Sequence, residues 1–194
     1  MPYLLPVSDN PDNEMADLSD SENANRWIKS SPDAFCNTND PVLLSQVLND
    51  YDQETSDFYR WTVRYTQKEL SELIQRKREE DFGDILALEP LERGASGRIK
   101  RLRIVGTKKT LIIGKELEIR RTLSDTHLYS SAFTIECEMS EGNVPVAFVL
   151  HGAGWGHGVG LCQIGAAVMA SKGYDFRSIL MHYYKQAKLQ QLYK

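Results

Sequence analysis

The sequence predicts an α+β fold: a mostly antiparallel sheet with short helices, and a glycine-rich strip leading into two C-terminal helices. Stretches of period-two alternation cluster between residues 85 and 150 instead of taking turns with helices, which argues against a parallel βαβ sheet. Between His151 and Gln163 the chain reads His-Gly-Ala-Gly-Trp-Gly-His-Gly-Val-Gly-Leu-Cys-Gln, with glycine at every second position from Gly152 to Gly160. Beyond it, apolar residues return at helical spacing.

Taken in order, residues 1–35 read as an extended or partly ordered acidic arm, because Asp9 to Asn25 is polar with almost no periodic apolar pattern. Residues 36–194 read as one α+β domain. Asp40-Pro41 has the form of an N-cap and first-turn proline, followed by Leu43, Leu44, Val47 and Leu48 on one helical face. Tyr59 to Tyr65 alternates as a strand. Thr66 and Glu69 have the spacing of a capping box, and Leu70, Leu73 and Ile74 then face a core. Ile85 to Glu92, Ile99 to Val105 and Thr110 to Ile113 read as strands, with Gly94-Ala95-Ser96-Gly97 as a turn. Gly114 to Arg121 reads as a short helix, and Phe133 to Met139 with Val144 to Leu150 as a hairpin across Glu141-Gly142-Asn143.

Glycine loses more backbone entropy on folding than any other residue, so the strip requires unusual dihedrals or a close backbone approach. If extended, it would project Trp155 and His157 opposite the glycines. The third glycine of a dinucleotide fingerprint is missing from every available start, and Gly165 is followed by Ala166 where a P-loop needs lysine. Leu161, Ile164, Gly165, Val168 and Met169 then mark the buried face of a helix with Cys162 and Gln163 in its first turn. Gly173 ends it. Asp175 caps the next helix, along which Phe176, Ile179, Leu180 and Tyr183 repeat the spacing.

With 194 residues, 41% hydrophobic and a net charge of −4, the chain can bury a sizeable core and is a poor match to nucleic acid. The basic run Arg98 to Arg103 reads as a solvated strand face. No segment approaches the roughly 20 apolar residues of a membrane span, and the N-terminus lacks the pattern of an export signal. Cys36, Cys137 and Cys162 form no Cys-x-x-Cys pair, so neither a disulfide framework nor a zinc ribbon is indicated. Cys137, within a strand, reads as a small buried hydrophobe. Cys162, at a helix N-terminus, is placed for a lowered pKa, but a Cys-His hydrolase formed with His157 lacks an orienting acid. The spacing of His151, His157 and Cys162 matches no common metal site, and no metal is expected in this chain. His127 reads as a loop residue and His182 as packing or capping the last helix.

Gly154-Trp-Gly-His-Gly-Val-Gly-Leu-Cys-Gln-Ile-Gly-Ala166, followed by Gly173-Tyr-Asp-Phe-Arg-Ser-Ile-Leu-Met-His-Tyr-Tyr184, closely resembles the C-terminal signature of the SpoIID/LytB family. These are bacterial cell-envelope proteins that include the stage II sporulation protein D and the amidase enhancers. Tyr59 to Val63, Leu91 to Arg98 and Leu102 to Thr107 resemble the family's middle region, so the likeness covers residues 55 to 194. Tyr3-Leu4 and Asp9 resemble a segment that follows the family's catalytic glutamate and its zinc-binding histidine/cysteine cluster. Neither motif has a counterpart here, and Leu5 replaces a lysine common in the family. The resemblance therefore implies a C-terminal portion only, with no cofactor of its own, zinc belonging to the half that has no counterpart.

The resemblance further implies peptidoglycan glycan strands as partner, a cell-wall amidase as a second one, and a cell-envelope or periplasmic location. The sporulation members cleave glycan strands as lytic transglycosylases. A glycan cleft needs aromatic platforms, hydrogen-bonding side chains and glycines that admit a sugar. Trp155, His157 and Gln163 suit those roles, with Gly156, Gly158, Cys162 and Tyr3 as further candidates for substrate contact. Glu136, Glu138 and Glu141 approach the strip in sequence, but no catalytic residue is assigned. Two readings remain: the cleft wall of a divided lytic transglycosylase, or a non-catalytic peptidoglycan-binding or amidase-enhancing module.

Overall fold

The α+β expectation holds in the computed structural model, which describes residues 4–12, 16–48 and 58–192. The chain divides into two units. One comprises residues 16–31 and 60–157; the other comprises the described parts of 1–15 and 32–59 together with 158–192.

The first unit holds two three-stranded antiparallel sheets. In one, β6 (Pro145–Ala153) lies between β1 (Arg60–Thr66) and β5 (Phe133–Met139). In the other, β3 (Ile99–Gly106) lies between β2 (Ile85–Arg93) and β4 (Thr110–Gly114). Register places Trp61, Gly152 and Phe133 side by side, and likewise Val63, Leu150 and Ile135. These residues line the apolar face of the first sheet. The opposite face carries Thr62, His151 and Thr134 abreast, with Glu136 farther along β5. Pro90 sits on the edge strand β2, where a residue without an N–H is tolerated, beside the register shift before Glu92. Ile85, Leu88, Ile99, Leu102, Ile104 and Ile113 join Trp61, Phe133, Phe148 and Leu150 in one core. Helices α3 (Gln67–Arg78) and α4 (Glu116–Thr122) add Leu70, Ile74 and Ile119.

The capping box forms as its spacing predicts. Glu69 N–H reaches Thr66 Oγ1 at 3.3 Å, and Thr66 N–H reaches Glu69 Oε2 at 2.8 Å. Thr66→Ala is expected to cost about 1 kcal/mol in thermal melts at neutral pH. The hydrogen bonds that Thr66 N–H and the Thr66 hydroxyl donate to Glu69 Oε2 hold the Glu69 carboxyl below its usual pKa of 4.5. A depressed folded-state value means that its stabilisation is complete above the unfolded value and is lost as pH falls through the folded one. The gap between mutant and wild type should therefore narrow as pH falls through the folded-state value and level off at the pH-independent part, in which Thr66 Oγ1 accepts from Glu69 N–H. A gap that does not change with pH would show that Thr66 Oγ1 does not donate to the carboxylate.

The acidic arm contains a helix that its polarity conceals. α1 (Ser21–Lys29) is capped by the Asp20 carboxylate, which accepts from Asn23 N–H at 2.9 Å, and it buries Ala24 and Ile28. Arg60 ties it to β1 by donating to the carbonyls of Ser30 and Trp27, each at 2.8 Å, with its guanidinium 4.8 Å from the Trp27 ring.

The second unit gathers α2 (Pro41–Val47), α5 (Gln163–Ser171) and α6 (Phe176–Tyr183) around Phe35, Val168, Met169 and Tyr183. Asp40 caps α2 and Asp175 caps α6. Gly173, with φ of +88°, closes α5, while Tyr174 N–H reaches back to the Met169 carbonyl. Phe176, at the first position of α6, departs from the expected buried face and is 71% exposed.

Candidate functional site

Within the first unit, the polar face of the β1-β6-β5 sheet forms the floor of a cavity of about 620 Å3. Ser21, Asn25 and Lys29 of α1, at i, i+4 and i+8, make one wall. Leu88 and Pro90 of β2 make another, and Thr134, Ile135 and Glu136 of β5 with His151 of β6 complete it. His151 Nε2 lies 3.4 Å from Glu136 Oε2, and its Nδ1 lies 3.3 Å from Thr62 Oγ1. The imidazole is thus oriented by one carboxylate and one hydroxyl. Glu138 is taken up by Arg64, at 2.6 Å.

Arg93 also lines this cavity and is only 5% exposed. Its two terminal nitrogens donate to the carbonyls of Gly97 at 2.9 Å and Phe133 at 2.8 Å, joining the β2–β3 turn to the edge of the other sheet. Its Nε has no hydrogen-bond partner among the described residues. Burial lowers its pKa to about 10. A desolvated cation beside a cavity attracts a carboxylate or another oxygen-rich ligand.

The glycine strip is not an extended ribbon. β6 ends at Ala153, and Gly154, Gly156, Gly158 and Gly160 all take positive φ, between +64° and +76°. Side chains rarely adopt that region, so these four glycines serve the backbone path. Gly152 answers a different demand: a Cβ there would lie 2.0 Å from the Trp61 ring. The carbonyl of Gly154 accepts from Trp61 Nε1 at 3.1 Å, and that of Gly156 accepts from Arg98 Nε at 3.3 Å. Trp155 stacks on Tyr129, with centroids 5.0 Å apart and planes 13° from parallel, so one indole face is already covered. His157, the last residue of the first unit, is exposed.

Gly158, Cys162 and Gln163 belong to the second unit. Gln163 is exposed at the first position of α5. Cys162 caps that helix, its Sγ accepting from Gly165 N–H at 3.4 Å. Its surroundings carry no trace in the sequence spacing, because Sγ of Cys162, Sγ of Cys36 and a carboxylate oxygen of Asp9 lie within 4.8 Å of one another. Asp9 Oδ1 accepts from Tyr183 OH at 2.5 Å and Oδ2 from Cys36 N–H at 2.7 Å. A Cβ on Gly165 would fall 2.3 Å from Tyr183 OH and 2.6 Å from the Asp9 carboxylate, so glycine is what lets this pair lie against α5. The hydrogen bond from Cys36 lowers the Cys162 pKa against the opposing effect of burial, helped by Gly165 and Ile164 N–H. That same contact and burial push Cys36 up. Burial, then Asp9, raises the Tyr183 phenol.

Cys137 corrects the expectation of a buried hydrophobe: it is exposed on the edge strand β5. Tyr3 lies outside the described residues. His127 is an exposed loop residue, and His182 packs edge-on against Phe35 and Tyr183. No helix among the described residues is long and apolar enough to cross a membrane. Among curated proteins, none matches the chain. Residues 1–160 match the family model described as Domain of unknown function (DUF8618), and the chain therefore belongs to that family.

Proposed function

We propose that this protein acts on the cell wall, binding peptidoglycan glycan strands in the cavity of its first unit at the bacterial cell envelope. The observation that carries this reading is the composition of that cavity. Pro90 offers apolar surface to the C–H face of a sugar ring. Asn25, Thr134 and His151 offer hydrogen bonds to hydroxyls, and Lys29 and Arg93 attract the carboxylates of muramyl residues and stem peptides. The resemblance of the glycine strip and last helix to the SpoIID/LytB signature supports the same polymer. Trp155, His157 and Gln163 then belong to a different stretch of chain from the cavity walls. Glu136 is the carboxyl of this cavity, beside His151.

The test is co-sedimentation of the purified chain with insoluble peptidoglycan, together with mass spectrometry of denuded glycan strands for 1,6-anhydro-muramyl ends. The chain is expected to pellet. Asn25→Ala and His151→Ala should each weaken retention about tenfold, the worth of one good hydrogen bond, while Lys68→Ala on the outer face of α3 should not. Anhydro ends that vanish in Glu136→Gln would make the protein a lytic transglycosylase; pelleting without products would make it a binding module. Wild-type protein that stays in the supernatant would overturn the proposal.

A further inference from the structure

Three groups with metal-ligating atoms converge in the second unit, with a buried histidine beside one of them, independently of the glycan reading. Asp9, Cys36 and Cys162 come together from segments far apart in sequence, and the fourth group is His182. The His182 side chain is only 8% exposed, and its Nε2, 3.9 Å from Asp9 Oδ1, has no hydrogen-bond partner among the described residues. The backbone of Ser8 engages the same ring. An unpartnered, buried imidazole nitrogen directed at a carboxylate flanked by two thiols is costly unless something joins them.

We propose that Asp9, Cys36, Cys162 and His182 form a zinc site, with two thiolates, one imidazole and one carboxylate as its ligands. Two sulfurs, one nitrogen and one oxygen make a borderline-soft, four-coordinate set, which suits Zn2+ better than the hard, oxygen-seeking Mg2+ or Ca2+. Bond lengths of about 2.0 to 2.3 Å give tetrahedral edges of roughly 3.3 to 3.8 Å, so Asp9, Cys36 and Cys162 close around the ion by side-chain rotations of order 1 Å, and the His182 ring completes the set by swinging in from beside Asp9. Binding releases two protons, as the Cys36 and Cys162 thiols become thiolates on the metal. The supporting contacts are already in place. Tyr183 OH and Cys36 N–H each donate to Asp9, Gly165 N–H donates to Cys162 Sγ, and the α5 N-terminus favours the negative sulfur. All four positions are filled by protein, which describes a structural site more than a catalytic one.

The test is metal content of the full chain, purified reduced from zinc-supplemented culture, and the optical spectrum after Co2+ replacement. One equivalent of zinc per chain and a thiolate-to-cobalt charge-transfer band are expected. Cys137→Ser should keep both, Cys36→Ser and Cys162→Ser should lose the band, and Tyr183→Phe should weaken zinc affinity about tenfold through Asp9. Because cysteine variants can fail to fold, the wild-type spectrum is decisive. No charge-transfer band with reduced wild-type protein, or a Cys36–Cys162 disulfide whose reduction restores no metal uptake, would overturn the proposal.

Discussion

Gly152→Ala is expected to destabilise the protein by at least about 3 kcal/mol, at the upper end of what overpacking costs. The new methyl would lie 2.0 Å from the Trp61 ring, a distance that something must relieve. Neither partner can yield cheaply. Gly152 lies in β6, hydrogen-bonded to a strand on each side, so its backbone cannot retreat. Trp61 is 4% exposed, donates to the Gly154 carbonyl and packs on Tyr129 and Phe133. Gly114→Ala supplies the contrast, since nothing closer than 3.8 Å awaits a Cβ there and its φ is ordinary. It should be neutral or slightly stabilising, through lost freedom of the unfolded chain. Urea unfolding followed by tryptophan fluorescence separates the two, and comparable midpoints would show that the Trp61 contact is softer than its geometry implies.

Arg93→Met is expected to cost about 2 to 4 kcal/mol in the same assay, because two opposing effects leave a net loss. Removing the guanidinium relieves an unpaired buried charge, which is favourable. It also deprives the Gly97 and Phe133 carbonyls of their donor, at about 1 to 3 kcal/mol each. Arg93→Lys should not rescue, since one ammonium cannot span two carbonyls as the planar fork does. Both variants should also lose glycan retention, whereas Asn25→Ala loses retention alone. An Arg93→Met protein within about 0.5 kcal/mol of wild type would mean that water replaces the fork without penalty.

What the sequence reveals here depends on how far apart the cooperating residues lie. The Thr66/Glu69 box, the Asp40 and Asp175 caps, Gly173 and the hairpin from Phe133 to Leu150 are all local signals, and each has its expected structural counterpart. α1 is hard to read although Asp20, Glu22, Arg26 and Lys29 are ordered as a capped helix, because only Ala24 and Ile28 carry its apolar stripe. The glycine strip points to Trp155 and His157, yet its glycines are accounted for by positive φ and by the bulk of Trp61. The cavity leaves no sequence signal because its walls come from α1, β2, β5 and β6, with no motif among them. The thiol pair is hidden for the same reason: Cys36 and Cys162 have no ligand spacing, and only α5 packing beside Asp9 unites them.

The division of the chain also sets an order of events during synthesis. Strands β1 to β6 all lie in one continuous stretch, residues 60–157, so the first unit gains its sheets as soon as that stretch has emerged. The second unit draws on residues before and after it, and cannot be completed until α5 and α6 have been made. Until then Asp9 and Cys36 wait as half of the proposed cluster. Residues 162–182 thus supply both the missing sulfur and the missing imidazole, and completion of the second unit waits on α5 and α6.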